Sequence, residues 1–233
     1  MKIVAIGDIH GRSHWKRIIE SETFDKLIFI GDYLDSFDIS GESQLGNFQE
    51  IIEYKKENSD KVILLIGNHE YHYISDSNYS GFQYSYSFLF KDILKSLIKD
   101  RLIQMSYIYK DFLFSHAGVT KTWLENNHFN GNIENIKDIS NHINDLFEFK
   151  PNTFDIIDNK PKFNQYGDNI YQSPIWIRPK SLLSDRVNFK QIVGHTSNDK
   201  IIIEEDIAFI DALKNEQYLV IENDKFKIKK IKK

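Results

Sequence analysis

The stretch KIVAIGDIHG, residues 2–11, joins a run of apolar, partly β-branched residues to a polar cluster led by glycine. The same order recurs in LIFIGDYLD, residues 27–35, and in VILLIGNHE, residues 62–70. Between these runs, residues 15–19 and 48–55 carry apolar side chains at helical spacing. Uninterrupted apolar strands that alternate with helices are typical of a parallel sheet covered on both faces. The N-terminal third therefore predicts a βαβαβ unit.

The composition is that of a chain that folds by itself. Of its 233 residues, 41% are hydrophobic and 27% are charged, far from the composition of disordered chains. Thirty basic and 34 acidic side chains give a net charge of -4, so the charge does not indicate a nucleic-acid partner. Cysteine is absent, which excludes disulfides, thiolate metal sites and cysteine nucleophiles. We expect a cytoplasmic protein without a membrane partner, because no window approaches about 18 uncharged apolar residues and no signal peptide is recognisable.

The middle of the chain predicts one long helix, a pair of strands and a helical segment. Residues 86–98 have helical periodicity, and residues 102–108 and 111–115 are expected to form antiparallel strands. Residues 119–170, the cap segment, are rich in Asn, Asp and Lys and contain two amphipathic stretches, 121–127 and 134–147. We therefore expect a helical cap or insertion there.

Short strands separated by polar turns return in the last quarter of the chain. We expect them at residues 175–178, 191–193, 201–204, 207–210, 217–222 and 226–229. The lysine-rich end, Lys225 to Lys233, is interpreted as a frayed, solvated terminus. Together the elements predict a single α/β domain over residues 1–233, built as a four-layer α/β/β/α sandwich of two mixed sheets flanked by helices.

Polar side chains stand directly after many of the apolar runs. They are Asp8, His10, Asp32, Asn68, His69, His116 and His195. Because the C-terminal ends of strands form the ligand crevice of an open α/β sheet, these five loops can converge on one site. Carboxylate, imidazole and amide ligands suit Mn, Fe, Zn or Co better than Ca.

Five short motifs, in this order and after these runs, resemble those of a known family. They are Gly7-Asp8-Ile9-His10-Gly11, Gly31-Asp32-Tyr33-Leu34-Asp35, Gly67-Asn68-His69-Glu70, Ser115-His116-Ala117-Gly118 and Gly194-His195-Thr196. The chain resembles the calcineurin-like metallophosphoesterases, and within them the branch of phosphoprotein phosphatases and diadenosine tetraphosphatases. The resemblance covers residues 1–118 and resumes at about residues 174–211.

The resemblance implies a site for two divalent metal ions, with manganese expected and iron, zinc or cobalt as alternatives. The ligands that it implies are Asp8 and His10 for the first ion, Asp32 as a bridge to both, and Asn68, His116 and His195 for the second. Two ions that share a carboxylate acidify a bridging water to hydroxide, which attacks phosphorus in line. His69 corresponds to the family's general acid, and Asp35 would hold its tautomer and raise its pKa. Glu70 is expected to be a structural hydrogen-bond acceptor.

One position departs from the family pattern. The phosphoprotein phosphatase branch usually continues the second motif with Arg-Gly, and that arginine grips the substrate phosphate, whereas this chain has Ser36 and Phe37. Arg178 resembles the family's downstream phosphate-binding arginine, so we expect Arg178 and Asn68 to contact the substrate phosphate. The alternative for Arg178 is an exposed arginine at a strand end.

These features predict a dinuclear metal-dependent phosphatase that hydrolyses phosphomonoesters, with phosphoserine or phosphothreonine proteins as candidate substrates. A hydrolase of dinucleoside polyphosphates or phosphodiesters is the alternative, because that relative shares nearly the same ligands. A non-catalytic binding module is a third interpretation, although no ligand is missing. The expected partner is thus a phosphorylated substrate, either a phosphoprotein or a nucleotide.

Overall fold

Strands and helices alternate along the N-terminal part of the chain, as the sequence predicts. The computed structural model describes residues 1–75, 87–157 and 168–232. The strands among these residues are β1 (Lys2–Ile6), β2 (Lys26–Phe29), β3 (Val62–Leu65), β4 (Ile103–Gln104), β5 (Ser106–Tyr109), β6 (Phe112–Ser115), β7 (Lys190–Val193), β8 (Ile202–Glu204), β9 (Ile207–Phe209), β10 (Gln217–Glu222) and β11 (Lys225–Lys230). The α-helices are α1 (His14–Ser21), α2 (Gly41–Glu57), α3 (Asn68–Ile74), α4 (Ser87–Lys99), α5 (Lys121–Asn126), α6 (Ile136–Phe149) and α7 (Pro179–Ser184).

The strands form two mixed sheets. The first has the order β11-β10-β1-β2-β3-β4, and its last four strands run parallel to one another. The second has the order β5-β6-β7-β9-β8, in which β6, β7 and β9 are parallel. Val4 lies opposite Leu27, and Leu27 lies opposite Val62, so the three predicted apolar runs are direct neighbours. The βαβαβ prediction is confirmed.

The two sheets pack face to face, and helices cover their outer faces. Along each strand the side chains alternate between the two faces of its sheet. Ile3 and Ala5 of β1 share a buried cluster with Phe114 and Ile192 of the second sheet. On the other face of the first sheet lie side chains that pack with the helices, such as Val4, Ile6, Ile18 and Ile51. On the outer face of the second sheet, Ile207 and Phe209 pack with Leu182 of α7. The layer order is therefore helix, sheet, sheet, helix, as predicted.

The region expected to be one strand at residues 102–108 is two short strands in different sheets. β4 extends the first sheet and β5 begins the second. The chain turns from one to the other at Met105, where the side-chain oxygen of Asn144 accepts from the N–H groups of Met105 and Ser106 at 3.0 and 3.1 Å. The side chain of Asn144 on α6 thus pairs two backbone N–H groups that would bond to a neighbouring strand if β4 and β5 were continuous.

Residues 174–176 form a turn and residues 177–178 belong to no strand, so the strand expected at residues 175–178 is wrong. The N–H groups of Trp176 and Ile177 donate to the carbonyl of Ser173 at 2.9 and 3.3 Å, which closes a local turn. Ile175, Trp176 and Ile177 are nonetheless buried. Their apolar character reflects burial by tertiary packing and not pairing in a sheet.

The lysine-rich end is also ordered further than expected. β11 pairs with β10 over six residue pairs, from Gln217 opposite Lys230 to Glu222 opposite Lys225. The strand predicted at residues 226–229 is confirmed, and the prediction of a frayed terminus is wrong for Lys225–Lys230. Lysine side chains remain largely in solvent there because β11 is an edge strand, where charges are well tolerated.

The cap segment contains both predicted helices, as α5 and α6. Trp123, Ile139 and Ile143 belong to the same buried cluster as Leu113 of β6, so these helices are part of the main core. Residues 158–167 of the cap segment, and Tyr86 at the start of the predicted long helix, lie outside the described residues. No helix among those described is long and apolar enough to cross a membrane.

The ends of β1, β2, β3 and β7 approach one another so closely that two positions require glycine. A Cβ atom on Gly194 would lie 2.0 Å from Oδ1 of Asp8, and one on Gly67 would lie 2.1 Å from Oδ1 of Asp32. Both contacts are far shorter than van der Waals separation. These glycines allow loops from both sheets to meet around the two aspartates.

We predict that Gly194→Ala lowers the free energy of unfolding by about 1–3 kcal/mol, because the added methyl group must displace the buried carboxylate of Asp8. Gly46→Ala is the matched control, since a Cβ atom there meets nothing within 4 Å and Gly46 lies inside α2. That variant should be stabilised by about 0.5–1 kcal/mol. Denaturant unfolding measures both changes, and a Gly194→Ala protein as stable as wild type would contradict the close approach.

Candidate active site

One group of predicted ligands surrounds the end of β3. Nε2 of His116 lies 3.3 Å from Oδ2 of Asp32 and 3.0 Å from Oδ1 of Asn68. Nδ1 of His195 lies 2.8 Å from the same oxygen of Asn68. Asp32, His116 and His195 offer ligand atoms that all lie within 4.8 Å of one another. The structure thus brings together four residues from four strand ends and both sheets.

A second group shares Asp32. Nε2 of His10 lies 3.8 Å from Oδ2 of Asp32, and the two form a possible metal-binding group together with His69. Asp8 is buried beside them, where the N–H of His195 donates to both of its carboxylate oxygens at 3.2 and 3.0 Å. All six predicted ligands therefore converge, and Asp32 lies between the two groups.

Backbone carbonyls orient the three imidazole rings. Nδ1 of His10 donates to the carbonyl of Leu34 at 2.7 Å, and Nδ1 of His116 donates to that of Ile30 at 3.0 Å. In His195 it is Nε2 that donates, to the carbonyl of Trp176 at 3.1 Å. These bonds fix the orientation of each ring and turn its other nitrogen toward Asp32 in His10 and His116, and toward Asn68 in His195. Such orientation is what a metal ligand requires.

The backbone of the site is held in unusual conformations. His10, Asp32, Asp35 and His195 all have a positive φ, between 42° and 65°, which costs energy for residues with a Cβ atom. Their concentration at one site indicates that the loops are held in place by the surrounding structure.

Glu70 supplies much of that constraint. Its fully buried carboxylate accepts from the N–H groups of Asp32 and Tyr33 at 2.8 Å each, Gly67 at 3.1 Å and Leu34 at 3.3 Å. The prediction that Glu70 is a structural acceptor is confirmed. One side chain on α3 thus joins the loops after β2 and β3.

The cluster holds negative charge that needs a cationic partner. Burial raises the pKa of Asp8 well above its usual value, and the charges of Asp211 and Asp32 add to that effect. Burial disfavours the charged form of His116, but the adjacent Asp32 outweighs it and raises the pKa of His116 to about 9. The buried carboxylates are thus stabilised by a proton on an imidazole. A divalent cation fits this donor set, because it can replace protons as the partner of buried carboxylates.

His69 lies beside the shared aspartate and is held by Asp35. Its Nδ1 bonds to Oδ2 of Asp35 at 2.9 Å, its Nε2 lies 4.0 Å from Oδ2 of Asp32, and Tyr73 donates its hydroxyl to Asp35. Burial alone would lower the pKa of His69, but Asp32 and Asp35 raise it to about 9. The geometry matches the predicted pairing of His69 with Asp35, and it leaves Nε2 on the side of the metal ligands.

Arg178 is partly buried at the beginning of α7 and is not an exposed arginine at a strand end. Its guanidinium donates to the carbonyl of His195 at 3.2 Å and to the hydroxyl of Thr196 at 3.1 Å. Burial lowers the pKa of Arg178, and Asp32 and Asp8 act in the opposite direction. These contacts place the cation beside a predicted metal ligand.

Position 36, where the phosphoprotein phosphatase branch usually has arginine, carries no cation in this chain. Ser36 is buried, its N–H donates to Oε1 of Gln44 at 3.0 Å, and its hydroxyl accepts from the N–H of Asp38 at 3.3 Å. The serine thus helps to shape its own turn.

Asp211 is a site residue that the sequence analysis missed. It is buried, and burial together with the charge of Asp32 raises its pKa to about 6. The end of β9 touches the start of the first motif, since a Cβ atom on Gly7 would lie 2.3 Å from the carbonyl oxygen of Ile210 and 3.1 Å from Cα of Asp211. Asp211 directly follows the apolar run at residues 207–210, so the rule that identified Asp8 and Asp32 applies to it as well.

His72 and Trp176 were also missed. Their rings stack with centroids 5.3 Å apart and 24° between planes, and Trp176 meets the ring of His195 edge-on at 6.0 Å. His72 forms a third possible metal-binding group with Asp35 and His69. The spacing of His69 and His72, three residues apart on a helix, could have indicated that they share a face.

The fold and the groups of possible metal ligands at its strand ends are consistent with a metal-dependent hydrolase. A family model described as calcineurin-like phosphoesterase matches residues 1–212, and the chain belongs to this family. Its members use divalent metals and act on phosphorylated substrates. No curated protein matches the chain significantly in sequence.

Several solved structures share the fold. A cold-active protein-tyrosine phosphatase from Shewanella sp. is 16% identical, with a TM-score of 0.61 over 99% of this chain and 80% of that one. A protein serine/threonine phosphatase from Saccharomyces cerevisiae is 13% identical, with a TM-score of 0.60 over 100% and 80% of the two chains. A metallophosphoesterase from Sphaerobacter thermophilus is 12% identical, with a TM-score of 0.51 over 100% and 89%.

We predict that Asp211→Asn weakens divalent metal binding about 10- to 100-fold, because it removes a negative charge beside Asp8. Asp206→Asn is the control, since Asp206 is exposed just before β9, at the opposite end of the same strand. Calorimetric titration of the metal-free proteins with Mn²⁺ measures the affinity. Equal affinities for wild type and Asp211→Asn would show that Asp211 has no part in the metal site.

Proposed function

We propose that this chain is a phosphatase that hydrolyses phosphomonoesters of proteins with the help of two divalent ions. The observation that carries the proposal is the position of His69. One ring nitrogen is bonded to Asp35 at 2.9 Å, and the other lies 4.0 Å from Asp32, which is shared by both ligand groups. This position supports a role for His69 as a proton donor to the substrate.

The proposed ligands share His10, Asp32, His116 and His195 with the two observed groups. Asp8 and His10 would hold the first ion, Asn68, His116 and His195 would hold the second, and Asp32 would be shared by the two sites, with manganese as the proposed metal. When bound, divalent ions activate water as a nucleophile and neutralise charge on phosphoryl oxygens. The protein contributes the fixed orientation of the imidazoles through the carbonyls of Leu34, Ile30 and Trp176.

His69 acts on the leaving group. Its Nε2–H donates the proton to the ester oxygen as the bond from phosphorus to oxygen breaks, so the product leaves as a neutral alcohol or phenol. Asp35 accepts the Nδ1–H and keeps the ring turned so that Nε2 faces the substrate. The hydroxyl of Tyr73 holds the second oxygen of Asp35 and so fixes the carboxylate.

Arg178 and Asn68 bind the substrate phosphate. The guanidinium is supported by the carbonyl of His195 and the hydroxyl of Thr196, both on the turn that carries a metal ligand. We propose that the guanidinium also contacts the phosphoryl oxygens of the substrate. Asn68 can donate its amide N–H groups to the phosphate while its oxygen faces His116 and His195.

The proposed substrate is a phosphoprotein. Two of the proteins that share this fold are protein phosphatases, one for tyrosine and one for serine/threonine. We extend the phosphomonoester chemistry of those proteins to this chain. A panel with manganese-loaded protein tests the choice: a phosphopeptide and an aryl phosphate should be hydrolysed faster than diadenosine tetraphosphate and a bis-aryl phosphodiester. Preference for either of the last two would replace the proposed function with a nucleotide hydrolase or phosphodiesterase.

We predict that Asp32→Asn abolishes turnover and reduces metal content below two ions per chain. His69→Gln should keep two ions and lose turnover of substrates that have a poor leaving group. The difference follows because Asp32 is a proposed ligand and His69 a proposed acid. General acid catalysis contributes about 10²- to 10⁴-fold where the leaving group must be protonated. The His69 defect should therefore shrink with a nitrophenyl phosphate. Elemental analysis and turnover of alkyl and nitrophenyl phosphates provide the measurements, and an equal defect with both substrates would disprove the acid role.

We predict that Arg178→Ala lowers kcat/KM for phosphomonoesters by a factor of about 10 to 100, from a lost charged hydrogen bond of about 1.5–3 kcal/mol. Metal content should not change, because Arg178 contacts the turn of His195 through the carbonyl of His195 and the hydroxyl of Thr196, and neither of these is a proposed ligand atom. Arg101→Ala is the control, since that arginine is exposed and paired with Glu148. Wild-type kinetics of Arg178→Ala on the whole panel would remove Arg178 from the phosphate site.

A further inference from the structure

A third group of metal-binding side chains lies next to the proposed ligands. It consists of Asp35, His69 and His72, and the ligand atoms that these residues offer all lie within 4.8 Å of one another. None of the three residues is a proposed ligand of the two catalytic ions. The function proposed above uses Asp35 and His69 for proton transfer and gives His72 no role. The group is therefore a candidate site for a further ion.

Helix α3 and the loop after β2 bring the three side chains together. His69 and His72 are three residues apart on α3, so they share a face of the helix, and their ring centroids are 5.5 Å apart. Oδ2 of Asp35 lies 2.9 Å from Nδ1 of His69, whereas Nε2 of the same ring lies 4.0 Å from Oδ2 of Asp32. The Nδ1 edge of His69 thus faces the third group, and the Nε2 edge faces the proposed ligands.

Neighbouring side chains hold the members of this group in place. The hydroxyl of Tyr73 donates to Oδ1 of Asp35, while Oδ2 faces His69. The ring of His72 stacks on that of Trp176, with centroids 5.3 Å apart. Asp35 and His72 are buried, but the side chain of His69 is 22% exposed, so an ion can reach the group from solvent.

The chemistry of this group suits zinc. Two imidazoles and one carboxylate are a common ligand set of zinc, with water in the fourth position. Such a site binds zinc more tightly than manganese, as the general order of affinities of the divalent metals predicts. Burial lowers the pKa of His72 to about 4, so its ring is neutral at ordinary pH, which is the form that binds a metal.

We infer that Asp35, His69 and His72 form an inhibitory zinc site. The ion binds Nδ1 of His69 in place of the proton that this nitrogen shares with Asp35, and that proton is released to solvent. His69 is then a neutral ligand whose remaining proton is on Nε2. Donating this proton to a leaving group would leave an imidazolate anion, so zinc blocks the general acid. The inhibition rests on the proposed function, whereas the binding of zinc does not.

The test adds Zn²⁺ to manganese-loaded protein. Hydrolysis of an alkyl phosphate and of a nitrophenyl phosphate is measured, and bound manganese and zinc are counted by elemental analysis after loose ions are removed. His72→Phe keeps an aromatic ring beside Trp176 but cannot bind zinc, and His72→Cys replaces one zinc ligand with another. His142→Phe is the matched control, because His142 lies on α6, packs against Phe129 and belongs to none of the three groups.

Wild type and the control should bind one zinc ion while keeping two manganese ions, and zinc should inhibit hydrolysis of the alkyl phosphate more than that of the nitrophenyl phosphate. His72→Phe should raise the zinc concentration for half-inhibition at least about tenfold, because it removes one ligand of three. His72→Cys should restore inhibition. Wild-type inhibition of His72→Phe would overturn the site, and so would loss of manganese as zinc binds, since zinc would then act by exchange.

Failure of the zinc site and failure of the proposed function give different results. A wild-type protein that hydrolyses the phosphates but binds no zinc beside its two manganese ions would overturn the zinc site alone. A wild-type protein that binds zinc through His72 but hydrolyses neither phosphate would overturn the proposed function, and the inhibitory role with it.

Discussion

The burial of three carboxylates where the two sheets meet is the constraint on which the site depends. Asp8, Asp32 and Asp211 follow β1, β2 and β9, and all three are almost completely removed from water. Burying an unpaired charge costs several kcal/mol, so each carboxylate must meet donors or a cation. The N–H of His195 donates to Asp8, and the N–H of His69 donates to Asp32. Asp32 also raises the pKa of the adjacent His116, so that a protonated imidazole can balance its charge. The same requirement explains why cations suit the site.

Close approach of the loops follows from that constraint. The donors can reach the carboxylates only if the backbone comes within hydrogen-bonding distance, and Gly194 and Gly67 permit this because they lack a Cβ atom. Left-handed backbone at His10, Asp32 and His195 has a further cost in energy. Hydrogen bonds from the backbone to Glu70 help to offset it. The strained loops thus lower the stability of the protein, but they hold the ligand atoms in position before a metal or substrate binds.

The cation of the site is carried beside one of the proposed ligands. Arg178 donates to the carbonyl of His195 and to the hydroxyl of Thr196, so its guanidinium is supported by the turn that carries His195. His69 is held separately, by Asp35 on the loop after β2. Because Ser36 presents no cation, the proposed phosphate site depends on Arg178.

The sequence by itself determined the features that depend on local pattern. Apolar runs ending in glycine and a polar residue predicted β1, β2 and β3, their parallel order and the residues that converge at their ends, because alternation with helices and the right-handed crossover leave few other arrangements. Only the tertiary structure decided the rest. Asn144 ends β4 by a hydrogen bond across 39 positions, and pairing with β10 orders Lys225 and Lys230, which the sequence analysis assigned to a frayed terminus. The apolar run at Ile175–Ile177 became a buried turn because side-chain burial, unlike strand pairing, needs no neighbouring strand. These outcomes depend on contacts between distant segments, which no local pattern encodes.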